Sequence, residues 1–108
     1  MTDNIINLEG VQASSCISID NIEDILINNN KIYSSPTNAN AIYISKTAKN
    51  VRVLNNTLKV NNNVGINAIG PNCHIMGNVM DSERARVDYS VYSKTSVLEN
   101  NFSSHPKK

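Results

Sequence analysis

The feature that most constrains this chain is an internal repeat of about 24 residues. A short apolar strand motif recurs, centred on Ile17, Ile42, Ile66 and Val91, with steps of 25, 24 and 25 residues. An asparagine corner recurs at Asn30, Asn56, Asn78 and Asn101, with steps of 26, 22 and 23 residues. Because a strand–helix–strand unit needs roughly 30 residues or more, each period predicts a coil of short strands joined by turns.

Alternation of apolar and polar residues predicts which side chains point into the coil, because neighbouring side chains of a strand face opposite sides. The predicted inward column of the first strand is Ile17, Ile42, Ile66 and Val91. The second strand is predicted to bury two columns, Ile25, Val51, Cys73, Ser96 and Ile27, Val53, Ile75, Leu98. The third strand contributes Ile32, Leu58, Met80 and Ser103. Serine replaces aliphatic residues toward the C-terminus, so the last coil is expected to have the weakest core.

The chain contains 19 asparagines, and their placement predicts a structural role for them. Asparagine-rich tracts are often disordered, but here the asparagines stand between alternating Ile and Val residues, which disordered chains lack. Asparagine tolerates the left-handed backbone of a sharp bend, and stacked asparagine side chains can hydrogen-bond as a ladder. We therefore predict that Asn30, Asn56 and Asn78 stack at one corner of successive coils.

This pattern, from Cys16 to Phe102, resembles the right-handed parallel β-helix of pectate-lyase-like proteins, the periplasmic NosD repeat family and phage tailspikes. The resemblance implies an all-β fold, a right-handed parallel β-helix (solenoid) of about four coils in a single domain. Residues 1–15 are a possible N-terminal cap, residues 16–102 the coils and residues 103–108 a polar tail. Many enzymes and non-enzymes share this fold, so the likeness alone does not give an activity.

Composition and charge exclude several classes of function. The formal net charge of +1 gives no electrostatic case for binding nucleic acid or an anionic membrane. No apolar run reaches the ~18 residues that a membrane span needs, and the acidic start of the chain is not expected to be a signal peptide. Cys16 and Cys73 lie two coils apart, about 10 Å by strand spacing, which is too far for a disulfide. No cofactor or metal site is predicted, since no metal-ligand spacing occurs.

The outward columns and the charged loop carry the candidate binding residues, because such surfaces of a rigid solenoid are where binding is usually placed. The first strand is predicted to expose Ser18, Tyr43, Asn67 and Tyr92, and the second Leu26, Arg52, His74 and Val97. Tyrosines can stack on sugars, and charged groups can bind them. The predicted carbohydrate-binding residues are Tyr43, Asn67, Tyr92, Arg52, His74, Asp81, Glu83, Arg84, Arg86 and Asp88. Ordinary solvated strand surface is the alternative for His74 and the tyrosines.

Catalytic residues are not predicted. Glycoside hydrolysis needs two carboxylates at defined separations. Two groups could supply such a pair: Asp20 with Asp24, and Asp81 with Glu83 or Asp88. These carboxylates are more typical of turn residues and solvated loop charges than of a catalytic pair. A polysaccharide lyase of this fold would require carboxylates beside a basic residue. No carboxylate shares the outward column of Arg52 and His74.

The sequence therefore favours a structural and carbohydrate-binding β-helix segment of a phage tailspike-like or cell-surface protein, located on a virion or outside the cell. The alternatives are a fragment of a polysaccharide lyase or glycoside hydrolase, and a small protein-binding adaptor or inhibitor. On its own the chain is not expected to be an enzyme. A short solenoid needs neighbours or caps at its ends, so the chain is expected to be either a fragment of a longer β-helix or a homo-oligomer, and the resemblance to tailspikes implies a trimer. The interface candidates are Tyr92, Val79 and Phe102.

Overall fold

A computed structural model of the chain describes residues 5–7, 15–33, 40–59, 64–81 and 87–103. These residues form 13 short strands. The strands are β1 Ile5–Asn7, β2 Ser15–Ile19, β3 Leu26–Asn28, β4 Lys31–Tyr33, β5 Asn40–Ile44, β6 Arg52–Leu54, β7 Thr57–Lys59, β8 Val64–Ala68, β9 His74–Met76, β10 Val79–Asp81, β11 Val87–Val91, β12 Val97–Glu99 and β13 Phe102–Ser103. Within these ranges the structure contains no helix with the length and apolarity that crossing a bilayer requires.

The strands stack into three parallel sheets, which make the described part of the chain a parallel β-helix, as the sequence predicts. The first sheet has the order β11-β8-β5-β2, the second β12-β9-β6-β3 and the third β1-β4-β7-β10-β13. Each turn of the solenoid, a rung, supplies one strand to each sheet. Strand β1 pairs with β4, with Ile6 opposite Ile32. Strand β1 therefore occupies the third-sheet position of the rung that precedes β2.

The predicted columns of the second and third sheets are confirmed by the strand register. Ile27, Val53, Ile75 and Leu98 are successive partners in the second sheet. Ile32, Leu58, Met80 and Ser103 are successive partners in the third. The core follows the predicted inward positions. Ile42 and Ile44 in β5 of the first sheet are fully buried, and so are Val51 and Val53 at β6 of the second sheet. Leu98, in the last rung, is 43% exposed, which confirms the expected weakening of the core toward the C-terminus.

The last strand of the first sheet departs from the predicted register by two residues. Tyr89, rather than Val91, is the partner of Ile66, and Val91 pairs with Ala68. Tyr89 packs against the core cluster, and its hydroxyl donates to the backbone carbonyls of Asn78 (3.3 Å) and Phe102 (3.1 Å). The aromatic side chain thus takes a core position that the sequence pattern assigned to an aliphatic one. A shift of two residues keeps every side chain on its predicted face, because strand side chains alternate.

An asparagine ladder fills the corner between the second and third sheets, as predicted. The Oδ1 of Asn56 accepts hydrogen bonds from the backbone N–H and the Nδ2 of Asn30, at 2.9 and 3.0 Å. Asn78 and Asn101 repeat the arrangement one and two rungs later. The Nδ2 of Asn56 also donates to the carbonyl of Ile27, at 3.0 Å. These buried amides therefore hydrogen-bond to one another. They also hydrogen-bond to backbone groups that have no sheet partner at the bend.

A second corner column lies outside the ladder and makes the bend itself. Its members have a left-handed backbone: Asn29, Asn55 and Asn100 with φ of 55° each, and Gly77 with φ of 68°. Asparagine and glycine are the residues that adopt this conformation at low cost. The backbone N–H of Asn55 donates to the carbonyl of Met76, at 3.1 Å, which links the corners of neighbouring rungs. Hydrogen bonds between successive rungs therefore continue from the second sheet into this corner.

Candidate functional site

The outer side of the second sheet carries two basic side chains in direct register. Arg52 in β6 and His74 in β9 are partners across the sheet, and both are exposed. Neighbouring strands lie about 4.8 Å apart, so the two side chains leave the surface next to each other. The sequence places them in one outward column, and this placement is confirmed. Their neighbours in the column are Leu26 and Val97.

A row of polar turn residues lies on the side of this pair where the strands begin. Asp24, Asn50 and Asn72 have left-handed φ values of 61°, 57° and 57°, which Asp and Asn tolerate better than most residues. The Nδ2 of Asn50 donates to the Oδ1 of Asp24, at 3.1 Å. Together with Arg52 and His74 these residues line a shallow depression of about 460 Å³. One side of the basic pair therefore offers a carboxylate and two amides.

A second depression, of about 530 Å³, lies on the other side of the basic pair, toward the asparagine corner. Leu54 and Met76 are partners in the sheet and are both half-buried, so they give this side an apolar wall. Its remaining lining is Asn55, Gly77 and Asn100. The two depressions share Arg52 and His74. We call this continuous surface the second-sheet groove.

The two predicted residues of the first sheet lie apart from this groove. Tyr43 and Asn67 are partners on the outer side of the first sheet, and both are half-buried. The Nδ2 of Asn67 donates to the Oδ1 of Asn40, at 3.2 Å. Ser90 continues the column, since it pairs with Asn67, so the predicted place of Tyr92 in this column is wrong. Tyr92 follows the end of β11 and is 67% exposed.

Asp81 is the one predicted charged residue of the loop whose side chain the structure describes, and it lies on a different sheet from the basic pair. Asp81 ends β10 in the third sheet and is exposed. Glu83, Arg84 and Arg86 lie outside the described residues, as does the side chain of Asp88, a residue of β11. Among the predicted binding residues whose side chains are described, the structure pairs Arg52 with His74 and, on a different sheet, Tyr43 with Asn67.

Both carboxylates of the candidate pair Asp20 and Asp24 accept hydrogen bonds from neighbouring side chains, whereas Glu83 and the side chain of Asp88 lie outside the described residues. Asp20 accepts a hydrogen bond from the hydroxyl of Ser18, at 3.2 Å, and Asp24 accepts from Asn50. Glu23 pairs with Lys49, at 3.3 Å between charged atoms, on the exposed surface. Within the described ranges, no three His, Cys, Asp or Glu side chains are placed to hold a metal ion. The arrangement offers hydrogen bonding and charge, and Asp24 is the carboxylate that lines the groove.

The sequence-based reasoning missed most of the groove. Asp24, Asn50 and Asn72 each stand two residues before an outward residue of the second strand, namely Leu26, Arg52 and His74. That constant spacing could have identified the polar row, because residues at equivalent positions of successive rungs stack in one column. Leu54, Met76 and Gly77 could not be identified in this way, since their role depends on the shape of the corner.

Comparisons of this chain with models of protein families, with curated proteins and with solved structures find no match. The geometry of the second-sheet groove is therefore the basis on which a function is proposed.

Proposed function

We propose that this chain is a structural and carbohydrate-binding β-helix segment, and that the second-sheet groove binds the glycan. The observation that supports the proposal is the register pairing of Arg52 with His74, with polar turn residues on one side and an apolar wall on the other. Both side chains stand on strands of a hydrogen-bonded sheet. Sites on strands hold their geometry better than sites on loops, which lowers the entropic cost of binding.

The chemistry of the groove suits the hydroxyl groups of a sugar. A hydroxyl both donates and accepts hydrogen bonds, and so needs partners of both kinds. Asp24 supplies acceptors, Asn50 and Asn72 supply amides that do both, and Arg52 supplies several donors in a fixed plane. A ligand that crosses the groove therefore meets each type of partner within a few rungs.

A rigid solenoid with a glycan-binding face fits a tailspike-like or cell-surface protein, on a virion or outside the cell. In such a setting the stacked rungs would supply stiffness, and the exposed groove would supply attachment. The columns of buried aliphatic residues and the asparagine ladder support the structural half of this role.

The proposal is tested by measuring the binding of bacterial surface polysaccharides and defined oligosaccharides to the wild type, Arg52→Ala and His74→Ala. Lys59→Ala is the matched control, because Lys59 is an exposed base on the third sheet, away from the groove. Loss of binding in both groove variants, with unchanged binding in the control, is the expected result. Equal binding by all four proteins, or no binding by the wild type, would contradict the proposal that the groove binds the glycan. Release of reducing ends in the same samples separates binding from cleavage.

Self-association is a second candidate function, and one observation favours it. Val79 and Phe102 are partners on the outer side of the third sheet and are 41% and 60% exposed. Apolar side chains stacked in one outward column are a typical interaction surface. We propose that copies of the chain associate through this column, as a trimer by resemblance to tailspikes. Tyr92 follows a strand of the first sheet, so it does not belong to this column.

Sedimentation equilibrium at micromolar concentration tests the association. The wild type is expected at a multiple of the chain mass, and Val79→Thr with Phe102→Ser at the mass of one chain. Ile22→Ser is the matched control, since Ile22 is 42% exposed but lies in a turn. A wild type at the mass of a single chain would reject the interface.

A further inference from the structure

The second-sheet groove contains a notch where the exposed asparagine column is interrupted. Gly77 occupies a left-handed corner position whose equivalents in other rungs are Asn29, Asn55 and Asn100. It therefore lacks the side chain that those positions carry. A Cβ added to Gly77 would meet the side-chain oxygen of Asn55. The side-chain oxygen of Asn55 therefore lies over Gly77, where the absence of a side chain admits it, and the two residues together line the depression on this side of the basic pair.

The walls of the notch have two kinds of chemistry. Leu54 and Met76, paired and half-buried, give an apolar wall. Asn55 and Asn100, one rung to either side of Gly77, give two exposed amides about 10 Å apart along the axis. An acetamido group has a methyl for the apolar wall, and an N–H and a carbonyl for the amides. The notch therefore matches an N-acetyl substituent better than a bare hydroxyl.

The basic pair lies a fixed distance from this notch. Arg52 and His74 each precede a wall residue by two positions in the same strand, which corresponds to about 6–7 Å along the chain. A carboxylate held by Arg52 and His74 and an acetamido group held in the notch are therefore separated by a distance that a disaccharide spans. Arginine suits the carboxylate because its planar group binds both oxygens.

We infer that the ligand of the groove is an acidic, N-acetylated polysaccharide, with its acetamido group in the notch at Gly77 and its carboxylate on Arg52 and His74. This inference rests on the proposed glycan-binding function. It adds the two substituents that the glycan must carry and the side chains that recognise each one.

Three oligosaccharides of equal length separate the two substituents. A hyaluronan hexasaccharide carries carboxylates and N-acetyl groups, a hexagalacturonate carries carboxylates alone, and chitohexaose carries N-acetyl groups alone. Calorimetric titration of the wild type is expected to give the tightest binding with hyaluronan, by about tenfold or more over each of the others.

The variant Gly77→Asn fills the notch with the residue that the equivalent corners carry, so it keeps the left-handed backbone. We expect it to weaken hyaluronan binding by about tenfold, to the level of hexagalacturonate, and to leave hexagalacturonate binding unchanged. Arg52→Ala is expected to weaken hyaluronan about 10- to 100-fold and to leave chitohexaose unchanged. Met76→Gln, which makes the wall polar at similar size, gives an independent test if the first variant fails to fold.

The outcomes distinguish this inference from the proposed function. If hexagalacturonate and hyaluronan bind equally, and Arg52→Ala weakens both, the groove binds acidic glycans and the inference about the notch is wrong. If Gly77→Asn and Met76→Gln leave the preference for hyaluronan intact, the inference that the notch binds the acetamido group is also wrong. If none of the three oligosaccharides binds, the inference is wrong, and the wider polysaccharide panel then decides the proposed function.

Discussion

The side-chain oxygen of Asn78 accepts two hydrogen bonds from Asn56, one from its backbone N–H at 2.9 Å and one from its Nδ2 at 3.0 Å. Both residues are fully buried, and Asn78 in turn donates to the carbonyl of Val53. Buried amides are costly unless they are hydrogen-bonded, and here each one meets the needs of the next. The ladder therefore fixes the order and register of the rungs as well as their stability.

Asn56→Ala is expected to destabilise the protein by about 1–3 kcal/mol, because it leaves the backbone N–H and Nδ2 of Asn30 without their acceptor. Chemical denaturation measures the change. Asn55→Gly is the matched control, since Asn55 is exposed and its left-handed φ of 55° suits glycine. Comparable losses at the two positions would show that the ladder does not stabilise the fold.

Ile42→Ala is expected to cost about 2–5 kcal/mol, the range for deleting most of a fully buried aliphatic side chain. The same substitution at Ile22, which is 42% exposed, is expected to cost far less. Thermal or urea unfolding of the two variants makes the comparison. A loss below about 0.5 kcal/mol at Ile42 is the size of an ordinary surface effect and would contradict the register.

Gly70→Ala is expected to destabilise the protein by about 1–3 kcal/mol, the usual cost of overpacking. A Cβ at Gly70 would collide with the carbonyl oxygen of Ala48 and lie 2.8 Å from that of Ser45. Both are backbone atoms, which cannot rotate away. Gly77→Asn is the comparison, because the neighbour there is a flexible side chain. Stability measurements that rank the two variants in the opposite order would contradict this packing.

Cys73 makes stability depend on pH in the alkaline range. The thiol is free and fully buried, and burial raises its pKa above the usual value. Above about pH 8.5 the unfolded chain loses a proton that the folded chain keeps, so the free energy of unfolding falls as pH rises, until pH passes the raised pKa. The slope is at most about 1.4 kcal/mol per pH unit. The free energy of unfolding is measured between pH 8 and 10 for two proteins, the Cys16→Ser variant and the Cys16→Ser, Cys73→Ala double variant. The difference between their pH dependences isolates the effect of Cys73. An identical slope in both proteins would contradict it.

The sequence was sufficient to predict the coil because the constraints on the core repeat. Three successive rungs bury an apolar residue at the positions of Ile27 and Ile32, and an asparagine of the ladder follows at the bend of each rung. The register of β11 was not predictable in this way. A two-residue shift preserves the alternation, so the pattern cannot choose between Tyr89 and Val91. In the observed register the Tyr89 hydroxyl forms hydrogen bonds with backbone carbonyls. The alternation of apolar and polar residues does not encode these hydrogen bonds.

The sequence could place the residues of one column side by side, but it could not bring together residues from several columns. Arg52 and His74 follow from the period alone. The notch requires that a strand column, a turn column and a corner column be brought side by side. Gly77 illustrates the difficulty, because its contribution is a missing side chain relative to Asn55 and Asn100. A repeat pattern with one exception at the corner is nevertheless a signal that can be searched for.

The central claim is that the second-sheet groove binds a glycan, and chemical-shift mapping tests it most directly. Titration of the uniformly ¹⁵N-labelled protein with the hyaluronan hexasaccharide is expected to perturb the amides of residues 50–55 and 72–77, which belong to the groove. The amides of Val79 and Phe102, on the third sheet, are expected to remain unchanged. Shifts centred on the third sheet, or no shifts with any of the three oligosaccharides or any member of the polysaccharide panel, would contradict the account.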